Sequence, residues 1–212
     1  MRYIKRLSKP EILEQKEQEW TDKFLKSGKD RPDNSKYGHD EIKSVLFAMS
    51  HHKCYYCEQV LKGSKQEIDH FIEVKERKDL AYNWENLYLA CENCNNKLPN
   101  RDIAVTDVLN PCIDSDEEIT KHLTFEDEQI KFLTPKGELT IKKYKLSTEK
   151  LDFLRSKFLT AFYKKLSLLH NLQATENRKL TPDETKSLQD FAKADAPFSL
   201  LFRVALKKYG LL

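Results

Sequence analysis

The chain has 212 residues and is dense in charge: 37 Lys and Arg against 34 Asp and Glu, a formal net charge of +3, with only 39% hydrophobic residues and 33% charged. A lean core with many solvated faces follows, since an average domain carries about a quarter charged residues. Five Gly and seven Pro exclude collagen-like and low-complexity character, and no window reaches the ~20 apolar residues of a membrane span. The opening MRYIKRLSKPEILEQ lacks the apolar stretch of a signal peptide, so a cytoplasmic protein with no membrane contact is expected. The charge is unevenly spread. Residues 1–100 are nearly neutral at +1, residues 101–140 stand at −6, and residues 141–212 hold 15 basic against 7 acidic side chains. A basic tail of that kind suits either solvated helices or a polyanionic partner.

In chain order, Ser8-Lys9-Pro10-Glu11 reads as a capped helix start, with Ile12, Leu13, Trp20, Phe24 and Leu25 as its apolar stripe and Gly28 near its end. Lys29 to Gly38, with Pro32, reads as a loop. Ile42, Val45, Leu46 and Met49 repeat at three and four, which predicts a helix over Asp40–Ser50. Further on, Gln129 to Lys143 reads as a hairpin turning at Pro135-Lys136-Gly137. Leu151, Leu154, Phe158, Phe162, Leu166 and Leu169 keep helical period in one long amphipathic helix. Thr181-Pro182-Asp183-Glu184 signals another helix, and Pro197 to Lys208 a last one.

Between the second helix and the acidic stretch lie Cys54, Cys57, Cys91 and Cys94, two C-x-x-C pairs 33 residues apart. Each pair turns two thiolates to one side of a tight knuckle, and two knuckles supply a tetrahedral zinc site with no open position, hence a structural Zn²⁺. Cys112 reads as a semi-buried small side chain. Within the frame stand Gln66-Glu67-Ile68-Asp69-His70-Phe71 and Trp84-Glu85-Asn86-Leu87, with Asn95 directly after the last cysteine. His51 and His52 read as surface residues; Glu73 reads as a surface carboxylate, and Lys75, Arg77 and Lys78 as a basic stretch near Asp69-His70.

The order Cys54-Tyr55-Tyr56-Cys57, Ile68-Asp69-His70-Phe71, Glu85-Asn86-Leu87, Cys91-Glu92-Asn93-Cys94-Asn95 resembles the HNH endonuclease family. The resemblance implies an α+β fold: a zinc-stapled ββα-metal nuclease core at 50–105, an N-terminal helical region at 1–49, an acidic insert and hairpin at 106–146, and a C-terminal helical region at 147–212. It further implies that His70 is the general base and Asn86 the residue holding the base loop. Asp69 and Asn95 would then be ligands of a catalytic Mg²⁺ or Mn²⁺. Lys97 stands three residues after the last cysteine, where the family often has its Lys at four, and is a candidate phosphate contact. Oxygen ligands suit a hard cation, and a neutral imidazole can take the proton of an attacking water. Beyond the core, Met1-Arg2-Tyr3-Ile4-Lys5, Asn83 to Cys91, Leu109-Asn110-Pro111-Cys112, His122-Leu123-Thr124-Phe125 and Lys145-Leu146 look like the HNH proteins of retron and Septu anti-phage systems. That likeness implies an antiviral nuclease acting on nucleic acid, DNA foremost, with an SMC- or ABC-like ATPase partner of the PtuA type. In some systems a retron reverse transcriptase and its RNA–DNA product join them. The alternatives are the same nuclease acting on structured RNA such as tRNA, and a non-catalytic zinc-ribbon module that binds nucleic acid.

Overall fold

The computed structural model describes residues 1–61 and 66–212, and over these the chain is a mixed α+β protein with two small antiparallel sheets. After an extended N-terminal segment come α1 (Glu11–Lys26), a four-residue α2 (Asn34–Tyr37) and α3 (Asp40–Ser50). The first cysteine knuckle follows, then β1 (Gln66–His70), β2 (Leu87–Cys91) and the short α4 (Glu92–Asn95). β1 and β2 pair antiparallel from Gln66 opposite Cys91 to His70 opposite Leu87. This β1–β2–α4 unit is the ββα core. The chain continues through α5 (Asp116–His122), the hairpin β3 (Leu123–Glu126) and β4 (Gln129–Phe132), α6 (Pro135–Tyr144), the 28-residue α7 (Glu149–Glu176), α8 (Pro182–Gln189) and α9 (Ser199–Lys208). Among the described residues no helix is long and apolar enough to cross a membrane.

Three local predictions are corrected. The first helix begins at Glu11 with Pro10 at its N-cap and no side-chain cap; Glu41 of α3 accepts from the Ile12 N–H at 3.2 Å, the service expected of Ser8. The loop read over Lys29–Gly38 contains α2, because the Asp33 carboxylate caps the Ser35 N–H at 3.0 Å and closes a turn too short to show apolar periodicity. The hairpin turns at Asp127-Glu128, and Pro135-Lys136-Gly137 opens α6 instead. Thr134 caps that helix, with Pro135 in its first turn, a start signal that outweighs the apparent alternation of Leu139 and Ile141. Gly137 serves close approach rather than a turn: a Cβ there would run into the His122 carbonyl.

The main core is aromatic. Every residue of β2 is buried, and Tyr88 packs between Phe71 (4.9 Å between ring centroids) and Tyr56, which stacks in turn on Tyr144 at 4.1 Å. The N-terminal segment belts the back of the sheet. The Arg6 guanidinium lies 5.1 Å over Trp84 and 4.6 Å over Tyr88 while donating to the carbonyls of Leu87 and Glu85, so a buried charge is met by two π faces and two oxygens. Leu159, Phe162, Leu166 and Leu169 of α7 form a second cluster with Leu188, Leu201, Phe202 and Leu206. Arg155, 1% exposed, ties α7 to the main core by donating to the Leu146 carbonyl at 2.9 Å, while Asp152 one turn earlier on the same helix pairs with it at 2.8 Å. The Met1 α-amine reaches the buried Glu58 carboxylate, directly after the first knuckle, at 3.1 Å.

Candidate active site

The four cysteines converge from opposite ends of the ββα core. Cys54 and Cys57 lie in the turn after α3, while Cys91 ends β2 and caps α4 by accepting from the Cys94 N–H. All four are buried, and their sulfurs lie within 4.8 Å of one another. Cys57 and Cys91 are 3.8 Å apart, far from the ~2.05 Å of a disulfide and equal to the edge of about 3.8 Å that a tetrahedron of 2.3 Å zinc–sulfur bonds requires. Burial pushes the Cys57 and Cys94 thiols up, while hydrogen bonds from the other three cysteines pull Cys91 down. Four buried thiols at this spacing fit a divalent cation such as zinc.

His70 ends β1 and forms part of the floor of a cleft of about 980 Å³ that also takes in Asp69, Asn95 and Lys97. Its Nε2 lies 2.8 Å from the Ala81 carbonyl. A carbonyl only accepts, so Nε2 carries the proton and Nδ1 keeps a lone pair, for which no partner exists among the described residues. The Tyr37 ring stands edge-on to the imidazole at 4.9 Å. Burial, opposed by the Ala81 hydrogen bond, pushes the His70 pKa below its ordinary value and favours the neutral ring.

Asn86 is 3% exposed and spends its whole amide on the loop after β1. Its Oδ1 accepts from the Ile72 N–H at 2.7 Å, and its Nδ2 donates to the carbonyls of Ile72 and Leu80 at 3.0 and 3.1 Å. The loop so stapled presents the Ala81 carbonyl to His70.

Asp69 is buried and heavily engaged. Tyr56 donates to it at 2.6 Å, and the Lys97 ammonium lies 2.8 and 2.7 Å from its two oxygens while also reaching the His70 carbonyl at 2.6 Å. Lys97 thus points inward onto Asp69 instead of outward as a free phosphate contact. Asn95 donates its amide to Glu67; since only Nδ2 can donate to a carboxylate, this contact orients Oδ1 as the remaining acceptor. Asp69 and Asn95 are hard oxygen donors on one cleft, and the place on Asp69 is held here by another positive charge, so the donor chemistry fits a hard cation once Lys97 yields or shares it. Glu73 accepts from the Asn100 N–H at 2.9 Å. His51 and His52 are exposed and turn the chain with positive φ into the first knuckle.

Sequence reasoning missed several parts. Glu67 was findable, since it stands two residues before Asp69 on one strand and shares its face. Tyr56 stood in the cysteine motif, but its bond to Asp69 is tertiary; Tyr37 and Arg31, on the opposite cleft wall, carried no signal, because only the tertiary fold brings residues 23–37 over β1.

Residues 54–101 match the family model described as HNH endonuclease, so the chain contains an HNH-type domain. It is also similar to the Septu protein PtuB of Bacillus thuringiensis, 32% identical over 143 residues, 66% of this chain and 52% of the relative. The Septu protein PtuB of Bacillus mycoides (strain KBAB4) is 32% identical over 155 residues, 57% of this chain and 52% of the relative. The chain spans about half the length of the curated relatives it matches.

Proposed function

We propose that this chain is a metal-dependent HNH endonuclease that hydrolyses phosphodiester bonds of DNA in a bacterial anti-phage system of the Septu kind, acting in the cytoplasm. The observation that carries the reading is His70: a partly buried imidazole on a cleft floor, its Nε2–H committed to the Ala81 carbonyl and its Nδ1 left to accept a proton. Phosphodiester hydrolysis needs a base for the attacking water and positive charge where the leaving oxygen develops its own. His70 Nδ1 takes the proton; Asn86 keeps the loop that orients the ring, and Tyr37 limits its rotation from the other side. Asp69 and Asn95 would hold a Mg²⁺ or Mn²⁺, which supplies Lewis-acid stabilisation of the phosphate and leaving oxygen when bound. The four cysteines would hold a Zn²⁺ in a closed, structural role, fastening α4, and with it Asn95 and Lys97, against β1.

A plain zinc ribbon has no use for an imidazole whose second nitrogen is anchored to a stapled loop, which is why the catalytic reading is preferred to a binding module. Both relatives carry the Septu name; the partner proposed is accordingly an SMC- or ABC-like ATPase of the PtuA type, without a retron reverse transcriptase. The test is cleavage of duplex DNA, single strands and tRNA by the zinc-loaded chain with that ATPase, comparing His70→Ala with wild type. Cutting of DNA that depends on His70 supports the proposal. Cutting confined to RNA would move the substrate, and undiminished cutting by the variant would remove the mechanism.

A further inference from the structure

The cleft above His70 has two walls, and only one belongs to the HNH-type domain. The other is built by the end of α1, the segment 27–33 and α2. This outer wall is tied to the loop that holds the base: the Asp33 N–H donates to the Tyr82 hydroxyl at 3.0 Å, and Lys78 donates to the Lys29 carbonyl at 2.9 Å and pairs with Asp30 at 3.1 Å. Tyr37, the last residue of α2, touches the imidazole itself.

The lining carries six basic side chains against four acidic ones, and the acids are already engaged. Asp30 pairs with Lys78, Asp33 caps α2, Asp69 takes Lys97, and Glu73 accepts from the Asn100 N–H. Among the cations, Lys23 pairs with Glu19 and Lys36 lies 5.8 and 5.9 Å from the Trp20 and Tyr82 rings. Lys29, Arg31 and Lys75 are exposed, and among the described residues none of their side chains has an ion-pair or hydrogen-bond partner. By contrast, Arg77, two residues beyond Lys75, is spent on Asp79 at 2.6 Å and lies outside the cleft lining. Uncompensated cations lining the same cleft as His70 describe a polyanion track.

We propose that the segment 27–37 is the substrate wall of the cleft, with Arg31 from that wall and Lys75 from the loop after β1 gripping phosphates of the nucleic-acid backbone as it crosses His70. This rests on the nuclease reading and sharpens it: the electrostatic hold sits beside the chemistry, supplied jointly by Arg31 from outside the matched domain and Lys75 from within it, rather than in the basic C-terminal region. Arg31 can fork onto a phosphate, and Lys75 acts as a point charge.

The test is binding of the 212-residue, zinc-loaded His70→Ala chain to a fluorescein-labelled DNA duplex and to its single strand, over a salt series. Each phosphate contact contributes about 0.9 to the slope of log affinity against log salt on duplex DNA, or about 3.5-fold between roughly 50 and 200 mM. Arg31→Ala and Lys75→Ala should each lower the salt dependence by that factor, and the double variant by about 12-fold. Arg77→Ala and a Lys207→Ala, Lys208→Ala pair should leave it unchanged; circular dichroism and zinc content confirm intact variants. An unchanged slope in the double variant, or loss in the C-terminal pair instead, overturns the proposal while wild-type cleavage leaves the nuclease reading standing. A wild type that binds through Arg31 and Lys75 yet cuts nothing with its ATPase would do the reverse.

Discussion

Replacing Asn86 with Ala separates a loop staple from an incidental buried amide. The substitution strands three backbone groups at once: the Ile72 N–H, the Ile72 carbonyl and the Leu80 carbonyl. Each unsatisfied buried group costs about 1–3 kcal/mol, so even at the low end the loss is about 3 kcal/mol, or some 6–12 °C in Tm for a chain of this size. The damage also reaches the proposed base, because Ala81, whose carbonyl fixes the His70 tautomer, follows Leu80 directly. A displacement of about 1 Å in a catalytic group can cost on the order of 100-fold in rate, and a loss of that order is expected below the melting transition. Asn86→Asp should be at least as damaging, since it turns a donor into an acceptor facing two carbonyls. Thermal denaturation, zinc content and the cleavage rate of the complex read the result. An Asn86→Ala protein melting within about 2 °C of wild type and cutting at the wild-type rate would refute the reasoning.

Chelation of zinc, or Cys94→Ser, should abolish binding of a single zinc and the cooperative melt of the core together; metal analysis with circular dichroism checks this, and an unaltered melt without zinc would contradict it. Gly137→Ala should lower Tm by a few degrees despite the better helix propensity of Ala, because the added methyl meets the His122 backbone; an unchanged or raised Tm would show that the backbone yields. Burial alone would raise the Asp116 pKa, but hydrogen bonds from Arg2 and the Tyr3 N–H, with Arg203 at 3.6 Å, hold it below its ordinary value. A depressed carboxylate stabilises the fold above its unfolded pKa of about 3.9 and loses that contribution as pH falls through the folded value. Asp116→Asn should therefore cost about 1–3 kcal/mol at pH 7 in urea unfolding, and the gap to wild type should narrow below about pH 4; a gap independent of pH would contradict the ion-pair account.

What could be read from the residues alone follows a physical divide. The cysteine pairs, α3, α7, α8 and α9 are written locally, in spacing, period and caps such as the Thr181–Glu184 box. The hairpin was displaced because Thr134-Pro135 and Gly137 carry helix-start and turn signals at once, and the contact with His122 that decides between them is tertiary. The Asp69-His70 pair was legible as a motif, but the seating of Lys97 on Asp69 and the use of Glu67 to orient Asn95 depend on how α4 lies across β1. Least visible was the outer cleft wall. Lys29 to Gly38 had the composition of a solvated loop, and only its ties to Tyr82, Lys78 and His70 reveal a built surface.

The central claim is that His70 is the base of a nuclease whose zinc is purely structural. It is tested most directly by cleavage with the 212-residue chain and the proposed ATPase partner, wild type against His70→Ala, zinc content measured in the same samples. The expected result is equal zinc, an unchanged fold and a loss of at least about 100-fold in cutting, in line with the worth of a general base. A His70→Ala complex that keeps its zinc and cuts as fast as wild type would contradict the account.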